Sequence, residues 1–167
     1  MESRRSFVKK SGLFLALSSL SLTAFPSSFR RKKSPFENKV VTLYVDTSHI
    51  TKPDINEYCN FGQTDGSSNE DYTIFVNVGD TITWQGVSSN PQSTDIVHIH
   101  SISHNHGKKI FDQDNLGGDG RNPQRVSRKV LYSTAGEESH KYTLRFTVIS
   151  NGKRSEIFQI DPVIQVH

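Results

Sequence analysis

The pattern of apolar and polar positions changes character at residue 40. Before it, a mildly apolar run from Ser11 to Phe25 is interrupted by Ser18, Ser19, Ser21 and Thr23, so it presents no clean stripe at helical spacing. From residue 40 onward the period is two. Val40-Val41-Thr42-Leu43-Tyr44-Val45 is a β-branched, aromatic-rich run closed by Asp46, and Tyr72, Ile74, Val76 and Val78 alternate with more polar neighbours, as half-buried strands do. Gly79-Asp80 predicts a turn into Thr81-Ile82-Thr83-Trp84, the second arm of a hairpin. Thr94 to Ser103 and Arg125 to Tyr132 read as further strands. The clearest sets Tyr142, Leu144, Phe146 and Val148 against Lys141, Thr143, Arg145 and Thr147. Asn151-Gly152 predicts a two-residue hairpin turn, since both positions tolerate positive φ. Ile157 to Val166 returns as one strand, or as two broken at Asp161-Pro162. No segment of ten or more residues in this body keeps a helical period. The expected fold is all-β, an antiparallel β-sandwich of about seven or eight strands.

Two stretches break the pattern. Residues 48–71 are polar and rich in turn-forming residues, a binding loop or an excursion from the sandwich. Residues 112–123 carry Asp112, Asp114, Gly117, Gly118, Asp119 and Gly120 without apolar periodicity. That run resembles an oxygen-rich calcium loop. However, Leu116 and Pro123 stand where an EF-hand needs ligands, so an ordinary Gly/Asp turn competes with a β-sandwich calcium loop.

The chain has 167 residues and a formal net charge of +3, but the charge is unevenly placed. Residues 1–34 hold eight Lys/Arg against Glu2, which leaves 12 Lys/Arg and 16 Asp/Glu in residues 35–167, a net of −4. The folded body is acidic, and a nucleic acid is not among its expected partners. The basic N-terminus reads as an address. Arg4-Arg5, then Phe7 and Lys9, then the apolar run resemble a twin-arginine export signal. The apolar run of about fifteen residues falls short of the ~20 that span a bilayer. Residues 1–38 are accordingly assigned to signal and basic linker and 39–167 to a single domain. The expected location is the periplasm or the cell exterior. An uncleaved signal would tether the protein to a membrane, with Arg30–Lys33 at the headgroups.

One cysteine, Cys59, excludes an intrachain disulfide. With no His or second Cys beside it in sequence, it reads as a buried or half-exposed thiol. Chemistry is more plausible in the histidines, four of whose seven fall within nine residues: His98, His100, His104 and His106. Even positions of one strand share a face, so His98, His100, Ile102 and His104 are expected to point the same way. His98 and His100 would lie about 6.6 Å apart at ~3.3 Å per residue. Imidazoles at that spacing can converge on copper or zinc, and a turn at residues 105–107 would bring His106 back toward them. The competing reading is a polar, solvated face. Type 1 copper is excluded, because Cys59 precedes the cupredoxin-like segment 78–84 and the body has no methionine. A cupin is disfavoured because His104 stands where that motif carries Glu. A metal-dependent oxidase or hydrolase would need a carboxylate such as Asp95 or Asp112 beside the cluster. No nucleophile–base pair is apparent, and no catalytic residue is assigned.

Three segments together resemble the AidA/PixA inclusion-body protein family: Val41-Thr42-Leu43-Tyr44-Val45-Asp46-Thr47, then Val78-Gly79-Asp80-Thr81-Ile82-Thr83-Trp84-Gln85-Gly86-Val87-Ser88, and Tyr142–Phe146 with the closing Phe158–Val166. Ile160 and Val163 depart from the residues that family carries around its Asp-Pro. The resemblance implies a compact β-sandwich without known catalysis, with a lectin-like ability to bind glycans proposed for some members. The export signal and the His-x-His pairs depart from it. The reading is therefore a non-enzymatic binding or structural protein with carbohydrate as the first ligand to consider. Trp84 and Tyr44 are stacking candidates if exposed, although strand positions usually place such residues in the core. The alternative is a periplasmic copper or zinc protein using His98, His100, His104 and His106.

Overall fold

The computed structural model describes residues 35–167; the twin-arginine segment and the basic run Arg30–Lys33 lie outside them. Eleven strands follow in order: β1 (Asn38–Val45), β2 (Cys59–Asn60), β3 (Thr73–Val76), β4 (Thr81–Ser88), β5 (Ile96–His106), β6 (Asn115–Gly117), β7 (Val126–Lys129), β8 (His140–Ser150), β9 (Lys153–Arg154), β10 (Phe158–Ile160) and β11 (Val163–Val166). One helical turn, α1 (Ile55–Tyr58), precedes β2. No helix among the described residues is long and apolar enough to cross a membrane.

The strands form two sheets, one ordered β2-β1-β4-β7 and one ordered β3-β11-β8-β5-β6, with β9 and β10 also paired to β8. The all-β expectation holds, but the sheets are mixed rather than antiparallel and the strands number eleven. Strands β1 and β4 run parallel from Asn38↔Thr81 to Val45↔Ser88, and β3 and β11 are parallel as well. The cause is the excursion between β1 and β4. The chain leaves β1, lays β3 on the edge of the other sheet, and returns to begin β4 beside the start of β1.

For the same reason Gly79-Asp80 does not close a hairpin. It carries the chain from one sheet to the other. Gly79 takes φ +97, and the buried Asp80 carboxylate accepts the amides of Glu37 (2.8 Å) and Asn77 (2.9 Å). At Asn151-Gly152 the expected tight turn does form, with φ 51 and 74 and Ser150 paired to Lys153. The last segment is two strands, broken at Asp161-Pro162 so that β10 and β11 follow one another along β8.

The core lies between the sheets. Val41, Leu43 and Val45 of β1 and Ile82 and Trp84 of β4 meet Val97 and Ile99 of β5, Tyr142, Leu144 and Phe146 of β8, and Phe158, Ile164 and Val166. Strand β8 is flanked on both sides, so even its outward Thr143 and Thr147 are buried. Gly86 sits where any side chain would collide with Val97, which lets the two sheets approach closely.

Candidate functional site

Strand β5 is not regular, and this decides the fate of its histidines. Its pairing with β8 runs Ile99↔Phe146 and then Ser101↔Arg145, leaving His100 as an extra residue. Such a bulge reverses which parity faces the core. Val97 and Ile99 point inward before it and Ile102 after it. His98 therefore lies opposite Thr147 on the outer face, whereas His104 lies opposite Tyr142 on the inner face. A second irregularity follows His104, and His106 emerges opposite Lys141, exposed and 3.2 Å from Glu138 Oε1. The expectation that His98, His100, His104 and His106 converge is corrected: they occupy three environments. Among the described residues no group of three or more His, Cys, Asp or Glu side chains is arranged to hold a metal ion.

On the outer face, His98 Nδ1 accepts the Gln124 amide at 3.1 Å. The proton therefore sits on Nε2, which is buried without a partner. His100 Nε2 lies 3.0 Å from Thr147 Oγ1 and 3.3 Å from the Arg154 guanidinium. Arg154 can only donate, so His100 Nε2 accepts. Burial first, and Arg154 second, hold both imidazoles below their ordinary pKa. Their acceptor lone pairs are engaged, and a cation there would also face Arg154.

The inner pair is built differently. His140, at the start of β8, is 2% exposed and donates Nδ1–H to the Lys108 carbonyl at 2.9 Å. His104 donates Nε2–H to the Gly107 carbonyl at 3.0 Å. The two rings lie 5.0 Å apart, and Phe111 packs edge-on against His140 at 5.4 Å. Burial pushes His140 down to about 4, so it is neutral at pH 7. His140 carries no motif in the sequence. Only pairing across β5 and β8 and the bend at Gly107 bring it to His104.

The carboxylates a hydrolytic site would need are engaged elsewhere. Asp112 is bound by Arg128, with 2.8 Å from Nε, and the hydroxyls of Thr47 and Ser150 hold Asp95 below its usual range. Loop 112–123 likewise spends its acids separately: Asp114 pairs with Lys109 at 2.7 Å, and Asp119 accepts the amides of Arg121 and Arg125. Cys59 is buried, its Sγ donating to the Ile55 carbonyl at 3.2 Å.

Of the two stacking candidates, Trp84 is fully buried and Tyr44 is 40% exposed. Tyr44 pairs with Asn60 of β2, and its ring lies over Gly62. Beside it, Asn56, Asn60, Gln63, Thr64 and Ser67 line an open basin. Asn69, buried below, braces that basin by donating to Asn56 Oδ1 (3.0 Å) and to the Cys59 carbonyl (2.8 Å). The 48–71 stretch is thus an ordered polar concavity on the edge of the smaller sheet.

Among solved structures, the chain is similar to an inclusion body protein, PixA, from Burkholderia cenocepacia J2315. The TM-score is 0.53 at 14% identity, over 83% of this chain and 98% of that one. The two share a fold. A cysteine protease inhibitor, EhICP2, from Entamoeba histolytica matches 81% of this chain and 100% of its own at 10% identity, with a TM-score of only 0.31. No protein-family model and no curated protein matches the sequence.

Proposed function

We propose that this is an exported, non-catalytic β-sandwich protein of the AidA/PixA inclusion-body type that binds carbohydrate. The observation that carries the reading is the basin beside Tyr44. Saccharides are held by amides and hydroxyls that match their own hydroxyls, together with an aromatic face against their C–H surface. Asn56, Asn60 and Thr64 supply the first and the exposed Tyr44 ring the second, while the Gln63 amide, bonded to Phe61, Ser67 and Asn69, braces the loop. The shared fold with PixA supports the structural class. Export rests on Arg4-Arg5 and the apolar run after them.

The test is a titration of the full chain with a panel of mono- and oligosaccharides, followed by calorimetry. Binding is expected for at least one sugar and is lost in Tyr44→Ala and in Asn60→Ala, while far-UV circular dichroism stays unchanged. A panel without a binder, or binding that survives both substitutions, refutes the assignment. Export is read separately: Arg4→Lys with Arg5→Lys should retain the protein in the cytoplasm.

A further inference from the structure

The inner histidine pair has features that the outer pair lacks. In each ring the N–H is committed to a backbone carbonyl, His140 Nδ1–H to Lys108 and His104 Nε2–H to Gly107. This fixes both tautomers and leaves His140 Nε2 and His104 Nδ1 as lone pairs. Metal-bound imidazoles are characteristically oriented in this way, with the non-coordinating nitrogen donating to a carbonyl or carboxylate. His140 Nε2 is moreover a buried atom with no hydrogen-bond partner, on a residue 2% exposed. An orphaned acceptor in a core costs free energy unless something fills its lone pair.

The spacing agrees. Two imidazoles bound to one ion at about 2.0–2.1 Å with a tetrahedral angle have ring centres about 5 Å apart, and the His104 and His140 rings are 5.0 Å apart. The Asp114 carboxylate lies within electrostatic reach of both rings.

We infer that His104 and His140 form a two-imidazole site for copper or zinc, completed by water. His98, His100 and His106 take no part. Imidazole nitrogen suits both ions, and copper binds the more tightly of the two at a given nitrogen site.

The experiment uses the untagged full chain with Cu(II) or Zn(II) as the only added ligand. One equivalent is expected to bind, and His104→Gln should weaken the affinity at least about tenfold, the scale on which loss of a supporting group already acts. His140→Gln should do the same. Because His140 is buried and its variant could misfold, the half-buried His104 carries the decision, with circular dichroism as the fold check. A His98→Gln/His100→Gln variant and a His106→Gln variant should each stay within about twofold of wild type, a difference under roughly 0.5 kcal/mol. Paramagnetic resonance of the Cu(II) form should show coupling to two imidazole nitrogens, falling to one in His104→Gln. The inference is overturned if no saturable binding occurs, if binding is unaffected by His104→Gln, or if it is lost instead with the His98/His100 or His106 variants.

Discussion

Replacing Tyr142 by phenylalanine isolates a single polar contact in the centre of the sandwich. Trp84 Nε1–H donates to Tyr142 Oη at 3.1 Å, both side chains are 0% exposed, and the rings meet edge-on at 5.7 Å and 65°. Burial pushes the Tyr142 phenol up, so it stays neutral across the working pH range. The substitution keeps the ring, its buried area and its edge contact, and removes only the acceptor. The indole N–H then sits in apolar surroundings without a partner, at a cost of about 1–3 kcal/mol. With a central value of about 2 kcal/mol, a body of this size should lose roughly 8 °C of Tm. Trp84 is the chain's one tryptophan, so its emission in a urea titration reports the loss from the affected site itself. Circular dichroism serves the Trp84→Phe partner. That partner and the double variant complete a cycle, in which a coupling of about 1 kcal/mol or more is expected. A Tyr142→Phe protein within about 0.5 kcal/mol of wild type would refute the claim that this hydrogen bond matters to the core.

Three further outcomes follow from particular contacts. Gly86→Ala should destabilise by about 1–3 kcal/mol in chemical denaturation, because the added methyl meets Val97 across the core. Cys59 should resist thiol reagents at pH 8 until the protein unfolds: burial pushes it up to about 12, leaving a thiolate fraction on the order of 10⁻⁴. Asp80 is held below its usual carboxylate range by the amides of Glu37 and Asn77. A depressed folded pKa contributes stability that is present above the ordinary carboxylate pKa of 3.8 and is lost as pH falls through the folded value. Denaturation midpoints of Asp80→Asn and wild type should accordingly converge as pH drops below about 4.

The strands were legible in the sequence because burial on one face forces period two, and local chemistry is enough to write that. Alternation alone places Tyr142, Leu144, Phe146 and Val148 on one face, and all four are buried. Asn151-Gly152 turns as expected because positive φ is a property of the residues themselves. What alternation cannot carry is the partner of each strand. Gly79-Asp80 is a turn in either reading, but whether its arms join one sheet or two is decided by where β1 and β11 wait to pair with them.

The histidines show the same division most sharply. Their density in residues 98–106 is written in the chain. The faces they take depend on a bulge at His100, which appears only in the register of β5 against β8. One inserted residue sends His98 outward to Gln124 and His104 inward to His140, a partner some 36 positions away that shares no motif with it. Likewise both Trp84 and Tyr44 read as strand aromatics, and packing alone put one at the centre of the core and left the other beside a polar basin. Periodicity and turn chemistry are readable along the chain because they are local steric and solvation effects. Register, sheet membership and the meeting of distant side chains belong to the tertiary structure, because they depend on which buried surfaces find each other.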